Sequence, residues 1–407
     1  MRACPRMFFA ASMLMLSALL LAACGGTSLE ALPTFTPDPA LALTSAALFP
    51  TPVPTEAPTP TPVARGDDSE QIAALLSDME TALLTRQSEQ YLSDVDLSDP
   101  VFALEHRRWV EDWTSRTAIN RFDLTMRNLT ITGDEATADL NMLWTTVFES
   151  RTSHGADFPV RFRRGEDGRW RYAGEAWVTV EAGHFRVRAL PGLEDAAQEV
   201  IAVLPDVYTH VTTELDHTPA GITEVKLYDD PWNLIATVRL SITREISGWN
   251  EPGEAIKMVV PEENFFPEIT LAHEFAHVVM FDMAGMTRGQ WPWWVAEGMA
   301  EYAASEYWTF SDRSRRVAQV QEWRRTRGLA DWTQMSVFET TPEDLWPFAY
   351  TQGYAFIRYV TETYGLEMRN VWIQAMADSP LAEATQAAFS LPFEELSAGF
   401  LDWLDAQ

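Results

Sequence analysis

Ile269-Thr270-Leu271-Ala272-His273-Glu274-Phe275-Ala276-His277-Val278-Val279 is the stretch on which the reading of this chain turns. Apolar residues surround its two histidines and its glutamate, so the pattern predicts a buried helix. At 3.6 residues per turn, His273 and His277 stand about 40° apart and one turn along such a helix. Both imidazoles then reach one ion at the ~2.0–2.1 Å of a zinc bond. Glu274 is offset around the helix, too far for easy ligation but within reach of a water on that metal. Imidazoles and a carboxylate would be costly in this setting unless paired or bound to a cation. The five-residue pattern is short, however, and the chain has seven histidines. Alone it points to a metal site without fixing its kind.

A second stretch narrows the reading. Trp293-Trp294-Val295-Ala296-Glu297-Gly298-Met299-Ala300-Glu301-Tyr302 places Glu297 20 residues beyond His277. Together the two stretches resemble the metal-binding helices of gluzincin metallopeptidases, of the peptidase MA-like families. The resemblance covers about residues 184–407 and is specific at the metal. It implies Glu297 as third ligand to a single Zn²⁺, with Glu274 as general base. It also implies that Glu301, one turn further on, accepts a hydrogen bond from a ligand imidazole, that of His273. Two histidines and one glutamate leave the fourth position to water, as hydrolysis requires. Tyr350-Thr351-Gln352-Gly353 resembles the Tyr-x-x-Gly segment of aminopeptidase-type gluzincins, which assigns Tyr350 to the developing oxyanion. Tyr354 falls where that motif is usually apolar. The Gly-x-Met-Glu-Asn strand with which those relatives grip a free amine is not met. The corresponding place reads Gly248-Trp249-Asn250-Glu251-Pro252, where Glu251 is the one residue that could imitate part of the motif. Exopeptidase and endopeptidase action therefore stay open, and no substrate-binding residue is assigned. The segment from Ala255 to Val260 is expected as a strand that pairs with an extended substrate at its edge.

Outward from these motifs the chain divides into four parts. Residues 1–23 read as an export signal: Arg2 and Arg6 supply the positive start, and Met7 to Leu21 is an apolar run too short to span a bilayer comfortably. Leu21-Ala22-Ala23-Cys24 resembles a bacterial lipobox, which implies cleavage before Cys24 and lipidation of its thiol. An uncleaved anchor or an ordinary signal cut are the alternatives, and each keeps the folded part outside the cytoplasm. Residues 24–66 carry repeated Thr-Pro units without hydrophobic periodicity and are expected to act as an extended spacer. Residues 67–183 begin with helical spacing at Ile72, Leu75, Leu76, Met79 and Leu83, and a second helix is expected from Val101 to Ser115. Strand-like runs follow at 121–132, 135–149, 158–163 and 170–180, with Gly133-Asp134 and Asp167-Gly168 as hairpin signals. Helices followed by a curled antiparallel sheet resemble the nuclear-transport-factor-like fold. Trp144, Trp170 and Trp177 are expected to pack there, and His106 and His154 have no metal-like neighbours. Residues 184–407 form the peptidase-like unit, a small sheet followed by helices.

The only cysteines are Cys4 and Cys24, so neither disulfides nor thiolate ligands serve the folded part. Lys and Arg number 30 against 59 for Asp and Glu, a formal charge of −29, which repels phosphate backbones and excludes nucleic acid as a natural partner. The sequence thus predicts an α+β protein, with a helix-plus-antiparallel-sheet domain ahead of a zincin-type domain. It would be a zinc peptidase tethered to the outer face of a cell membrane and acting on peptides or proteins. The alternative is a surface-anchored zinc-binding assembly protein that does not hydrolyse, against which the intact Glu274 argues.

Overall fold

The computed structural model describes residues 67–147, 152–261, 266–285 and 291–407. The signal, Cys24 and the Thr-Pro spacer lie outside the described residues. The chain opens with α1 (Asp68–Leu84), α2 (Ser88–Ser93) and α3 (Pro100–Glu111). The Asp99 side chain accepts from the amides of Val101 and Phe102 at 3.0 and 3.2 Å, and Pro100 sits just inside α3, a start signal that needs no tertiary help. The helix expected to run to Ser115 widens instead into a π turn at Asp112–Arg116. There the Asp112 carboxylate turns away to the amide and hydroxyl of Ser241.

Four antiparallel strands follow, β1 (Ile119–Thr132), β2 (Glu135–Thr146), β3 (His154–Arg164) and β4 (Trp170–Glu175), in that spatial order. Phe122 pairs with Trp144, Leu140 with Phe158 and Phe162 with Tyr172, so strand alternation gathers these side chains on one buried face. The run expected as one strand from Trp170 to Val180 is two. Gly174 has φ of +81°, and a Cβ there would meet the Phe102 ring at 2.8 Å. Glycine lets the chain bend at this point, and β5 (Val178–Ala182) leaves for a second sheet.

That second sheet has the order β5-β6-β7-β9-β8, with β6 (Phe185–Ala189), β7 (Thr223–Tyr228), β8 (Gly248–Trp249) and β9 (Ile256–Val259). The expected division between residues 183 and 184 falls on the turn of the β5–β6 hairpin. β6, β7 and β9 run parallel, and α4 (Glu194–Leu215) makes the first crossover. Its Val200, Leu204, Val207, Val211 and Leu215 are fully buried, each stabilising by about 1.5–3 kcal/mol. The expectation that β9 offers a free edge is corrected: it is paired on one side with β7 and on the other with β8, Gly248 opposite Met258. β8 holds the edge.

The rest is helical: α5 (Pro231–Val238) within the β7–β8 connection, then α6 (Pro267–Met283), α7 (Trp293–Ala304), α8 (Phe310–Thr326), α9 (Trp346–Tyr364), α10 (Leu366–Asp378), α11 (Leu381–Phe389) and α12 (Phe393–Ala406). The protein is α+β, an antiparallel-sheet unit followed by a mostly helical C-terminal half. No helix among the described residues is long and apolar enough to cross a membrane.

The two units share a core. Tyr228, Leu234, Ile235, Val238, Leu240, Ile246 and Trp249 pack into the cluster built on Trp109, Trp113 and Trp144 of the first unit. The indoles of Trp109 and Trp144 donate to the carbonyls of Ala236 and Leu240 at 2.9 and 3.1 Å. Beside them Glu105 of α3 lies between the ammonium groups of Lys226 and Lys257, and each lysine is 1% exposed.

Candidate metal centre

α6 is buried on nearly all sides: Leu271, Ala272, Phe275, Ala276 and Val279 have no exposure. Its helical period turns His273 and His277 toward α7, which presents Glu297. The Nε2 atoms of the two imidazoles lie 3.3 Å apart. Glu297 Oε2 is 3.3 Å from His273 Nε2 and 3.7 Å from His277 Nε2. Among the described residues this is the one group whose donor atoms converge in this way, all within 4.8 Å of one another. A tetrahedral centre with ~2.0–2.1 Å bonds has ligand atoms about 3.3–3.4 Å apart, so two sides of the triangle match zinc and the third, at 3.7 Å, closes by a few tenths of an ångström.

The electrostatics ask for a cation. Glu297 Oε2 and both oxygens of Glu274 are buried without hydrogen-bond partners. Burial by itself would push the His273 imidazole down, but Glu297 and Glu301 outweigh it and hold it above its ordinary value. Glu297 stays below the usual carboxylate range because His277 and His273 oppose its burial. Three carboxylates (Glu274, Glu297 and Glu301) sit at 2% exposure or less around two imidazoles. Such a set is stable when it shares a divalent ion.

The neighbours hold these groups still. Trp293 Nε1 donates to Glu297 Oε1 at 2.8 Å, from one turn earlier on α7, leaving Oε2 toward the histidines. Glu301 Oε1 faces His273 Nδ1 at 3.4 Å, and its other oxygen meets Arg316 of α8 at 2.8 Å. Arg316 itself lies over the Trp308 ring, 4.2 Å from its centroid. Glu274 is fully buried, and burial pushes its carboxyl up, with His273 and His277 opposing and Glu297 adding to the rise. Gly248 of β8 closes over it: a Cβ there would lie 2.7 Å from Glu274 Oε1.

Tyr350 comes from α9. Its ring stacks on His273 with centroids 6.1 Å apart and meets Trp293 edge-on at 5.8 Å. α7 and α9 are close enough for this because they cross at two glycines. A Cβ on Gly298 would meet the Gly353 backbone at 2.5 Å, and one on Gly353 the Trp294 carbonyl at 2.5 Å. Tyr354 turns away from the site and packs against Trp308, centroids 5.1 Å apart. Glu251 is not placed to grip a substrate amine, since it is 3% exposed and pairs with Arg239 and, at 3.6 Å, with Arg108.

The structure thus brings together the residues that the sequence singled out: His273, His277, Glu297, Glu274, Glu301 and Tyr350. Sequence reasoning missed Arg316 and Arg244, and quoted Gly248 only as the start of the stretch where the Gly-x-Met-Glu-Asn motif is not met. Arg244, between α5 and β8, lays its guanidinium 3.6 Å from the Trp346 ring centroid. Neither arginine stands in a local pattern, and the stretch that holds Gly248 was quoted without a role for the glycine. In the first unit His106 and His154 pack among aromatic rings, His106 against Trp109 at 5.2 Å and His154 against Trp232 at 4.5 Å. Trp144 and Trp170 are buried, and Trp177 is half-buried against Tyr228.

No protein-family model matches the sequence, and no curated protein does. Among solved structures, an M1 zinc metallopeptidase from Deinococcus radiodurans aligns over 71% of this chain at 14% identity, with a TM-score of 0.34. A point mutant of the same enzyme gives 12% and 0.37. This chain spans 61% of the length of that metallopeptidase. A SEC-C motif containing protein from Rhodopseudomonas palustris aligns over 25% of this chain and 75% of its own, at 13% identity and a TM-score of 0.21. Likenesses this loose leave the functional reading to the site's own geometry.

Proposed function

We propose that this protein is a zinc-dependent peptidase, hydrolysing peptide bonds in peptides or proteins with one Zn²⁺ held by His273, His277 and Glu297. The observation that carries the reading is Glu274: a fully buried carboxylate without hydrogen-bond partners, next in sequence to a converged His, His, Glu set. A pure scaffold has no use for it. Zinc bound there would acidify a water and polarise the scissile carbonyl. Glu274 takes a proton from the attacking water and hands it to the leaving nitrogen. Tyr350 offers a hydrogen bond to the carbonyl oxygen as charge gathers on it, a contribution of roughly 2.7–4 kcal/mol in comparable sites. Glu301, backed by Arg316, orients the His273 ring. β8, the last strand of its sheet, pairs with an extended substrate and leads it past Glu274.

The same proposal sets the reaction at the outer face of the cell membrane, on a lipid attached to Cys24. Its support is the sequence of residues 1–66, and the charge of −29 accords with a partner other than nucleic acid.

The test is metal analysis of the full chain, followed by incubation with an unstructured protein such as casein. One zinc per chain and cleavage that a chelator stops are expected. Glu274→Gln keeps the metal and lowers turnover by at least about a hundredfold. Bound zinc without chelator-sensitive cleavage would replace the peptidase reading with a zinc-binding assembly role.

A further inference from the structure

Arg244 has surroundings that the reaction above does not account for. Its guanidinium lies over Trp346, its Cζ 3.6 Å from the ring centroid. Trp346 is one helical turn before Tyr350 on α9, and its ring meets Trp293 at 5.7 Å. Trp293 in turn contacts both Tyr350 and Glu297. Arg244 is thus one ring removed from the tryptophan that braces a metal donor. It also belongs to the segment that leads directly into β8, the edge beside Glu274. Burial lowers the guanidinium from its ordinary value, with Glu343 and Tyr350 opposing.

The partner that Arg244 holds is a weak one. Glu343 lies 3.2 Å from Arg244 Nη1, but its side chain is 77% exposed. Such a surface pair contributes about 0–1 kcal/mol, so an incoming carboxylate displaces it at little cost. An arginine stacked on an indole keeps its in-plane N–H fork available for bidentate contact, which a lysine does not offer. The chain as a whole is strongly anionic, yet its field is screened beyond about 8 Å at physiological salt. Close to Trp346 the local cation governs.

We propose that Arg244, laid on Trp346 beside Tyr350, is a subsite for a substrate carboxylate, so that the enzyme selects peptides carrying an acidic side chain or a free C-terminal carboxylate close to the scissile bond. This rests on the peptidase reading and names its substrate class. Glu343 occupies the place of that carboxylate when substrate is absent.

The experiment uses the full, zinc-loaded chain and a set of matched peptides, read by mass spectrometry. One arm exchanges Glu for Gln at positions flanking the bond; the other compares free with amidated C-termini. The arm that shows a preference of about ten- to hundredfold in kcat/KM, carried mainly by KM, identifies the source of the carboxylate. In Arg244→Ala the ratio between the matched peptides falls to about one, with zinc content unchanged. In Arg244→Glu it inverts in favour of Lys-bearing peptides. Equal cleavage of both members of every pair by the wild-type chain overturns the subsite while leaving the peptidase reading intact. A complete lack of chelator-sensitive cleavage overturns that reading and the subsite with it.

Discussion

At the scale of single residues, the site depends on groups that touch the reacting ones without being obvious participants. Gly248 is the sharpest case. Alanine there would place a methyl 2.7 Å from Glu274 Oε1, and the flexible end of the glutamate side chain would yield before the backbone did. Gly248→Ala is therefore expected to keep fold and zinc content while lowering kcat on the order of a hundredfold, the usual cost of displacing a reacting group by about 1 Å; unchanged kcat would mean that Glu274 is not held by this strand. His106 gives a second residue-scale prediction. Burial pushes its imidazole down to about 3, with Glu105 opposing and Lys226 reinforcing. The unfolded chain binds a proton near the ordinary 6.5 and the folded chain does not. Its contribution to stability is complete above pH 6.5 and declines as pH falls toward 3. Replacing His106 by Phe should flatten that acid limb in denaturant titrations run across the window.

At the scale of elements, the crossing of α7 and α9 decides where Tyr350 sits. Backbone meets backbone at Gly298 and Gly353, which brings Tyr350 against His273. A methyl at either position must spread the two helices. Gly353→Ala is expected to cost at least about 1–3 kcal/mol of stability, read as a lower melting temperature, and to depress activity further by withdrawing Tyr350. An unaltered melting temperature would show that the helices have room to part. Both glycines stand in the motifs that marked the site, one after Glu297 and one three residues after Tyr350. The sequence therefore displayed them, but their mutual contact was not readable from either motif. Where sequence reading failed at this scale, the cause was pairing. β9 was expected to be an open edge because a strand's neighbours are not encoded in its own four residues. The run from Trp170 to Val180 was expected to be one strand because nothing local says that Phe102 lies beneath Gly174.

At the scale of the whole molecule, the first unit holds up the wall of the site. The β7–β9 connection plugs the aromatic core of the first unit and then delivers β8 to Glu274. Glu105 locks the two parts together, and Lys226 and Lys257 hold its carboxyl well below the ordinary range against its burial. Removing it would take the close carboxylate from Lys226 and leave Lys257 with Glu254 alone. Glu105→Ala is expected to cost about 3–5 kcal/mol and to lower the melting of both units together. Independent melting of the two units would refute a shared core. Because the folded pKa lies below the unfolded value near 4.5, this lock is at full strength above that pH and weakens as pH falls below it.

The sequence by itself determined which side chains could share an ion. The spacing of His273 and His277 is a property of one helix, and helical geometry is set by local backbone hydrogen bonds that any such stretch carries with it. The resemblance of the Glu297 and Tyr350 stretches to known motifs extended this to the second and third helices. Only the tertiary structure decided what surrounds them: Arg316 behind Glu301, Gly248 over Glu274, Arg244 on Trp346, and an accessory unit whose core the peptidase-like half completes. These contacts join residues far apart in the chain, and their geometry follows from how elements pack. Packing depends on the summed shape of many side chains, which no single spacing records.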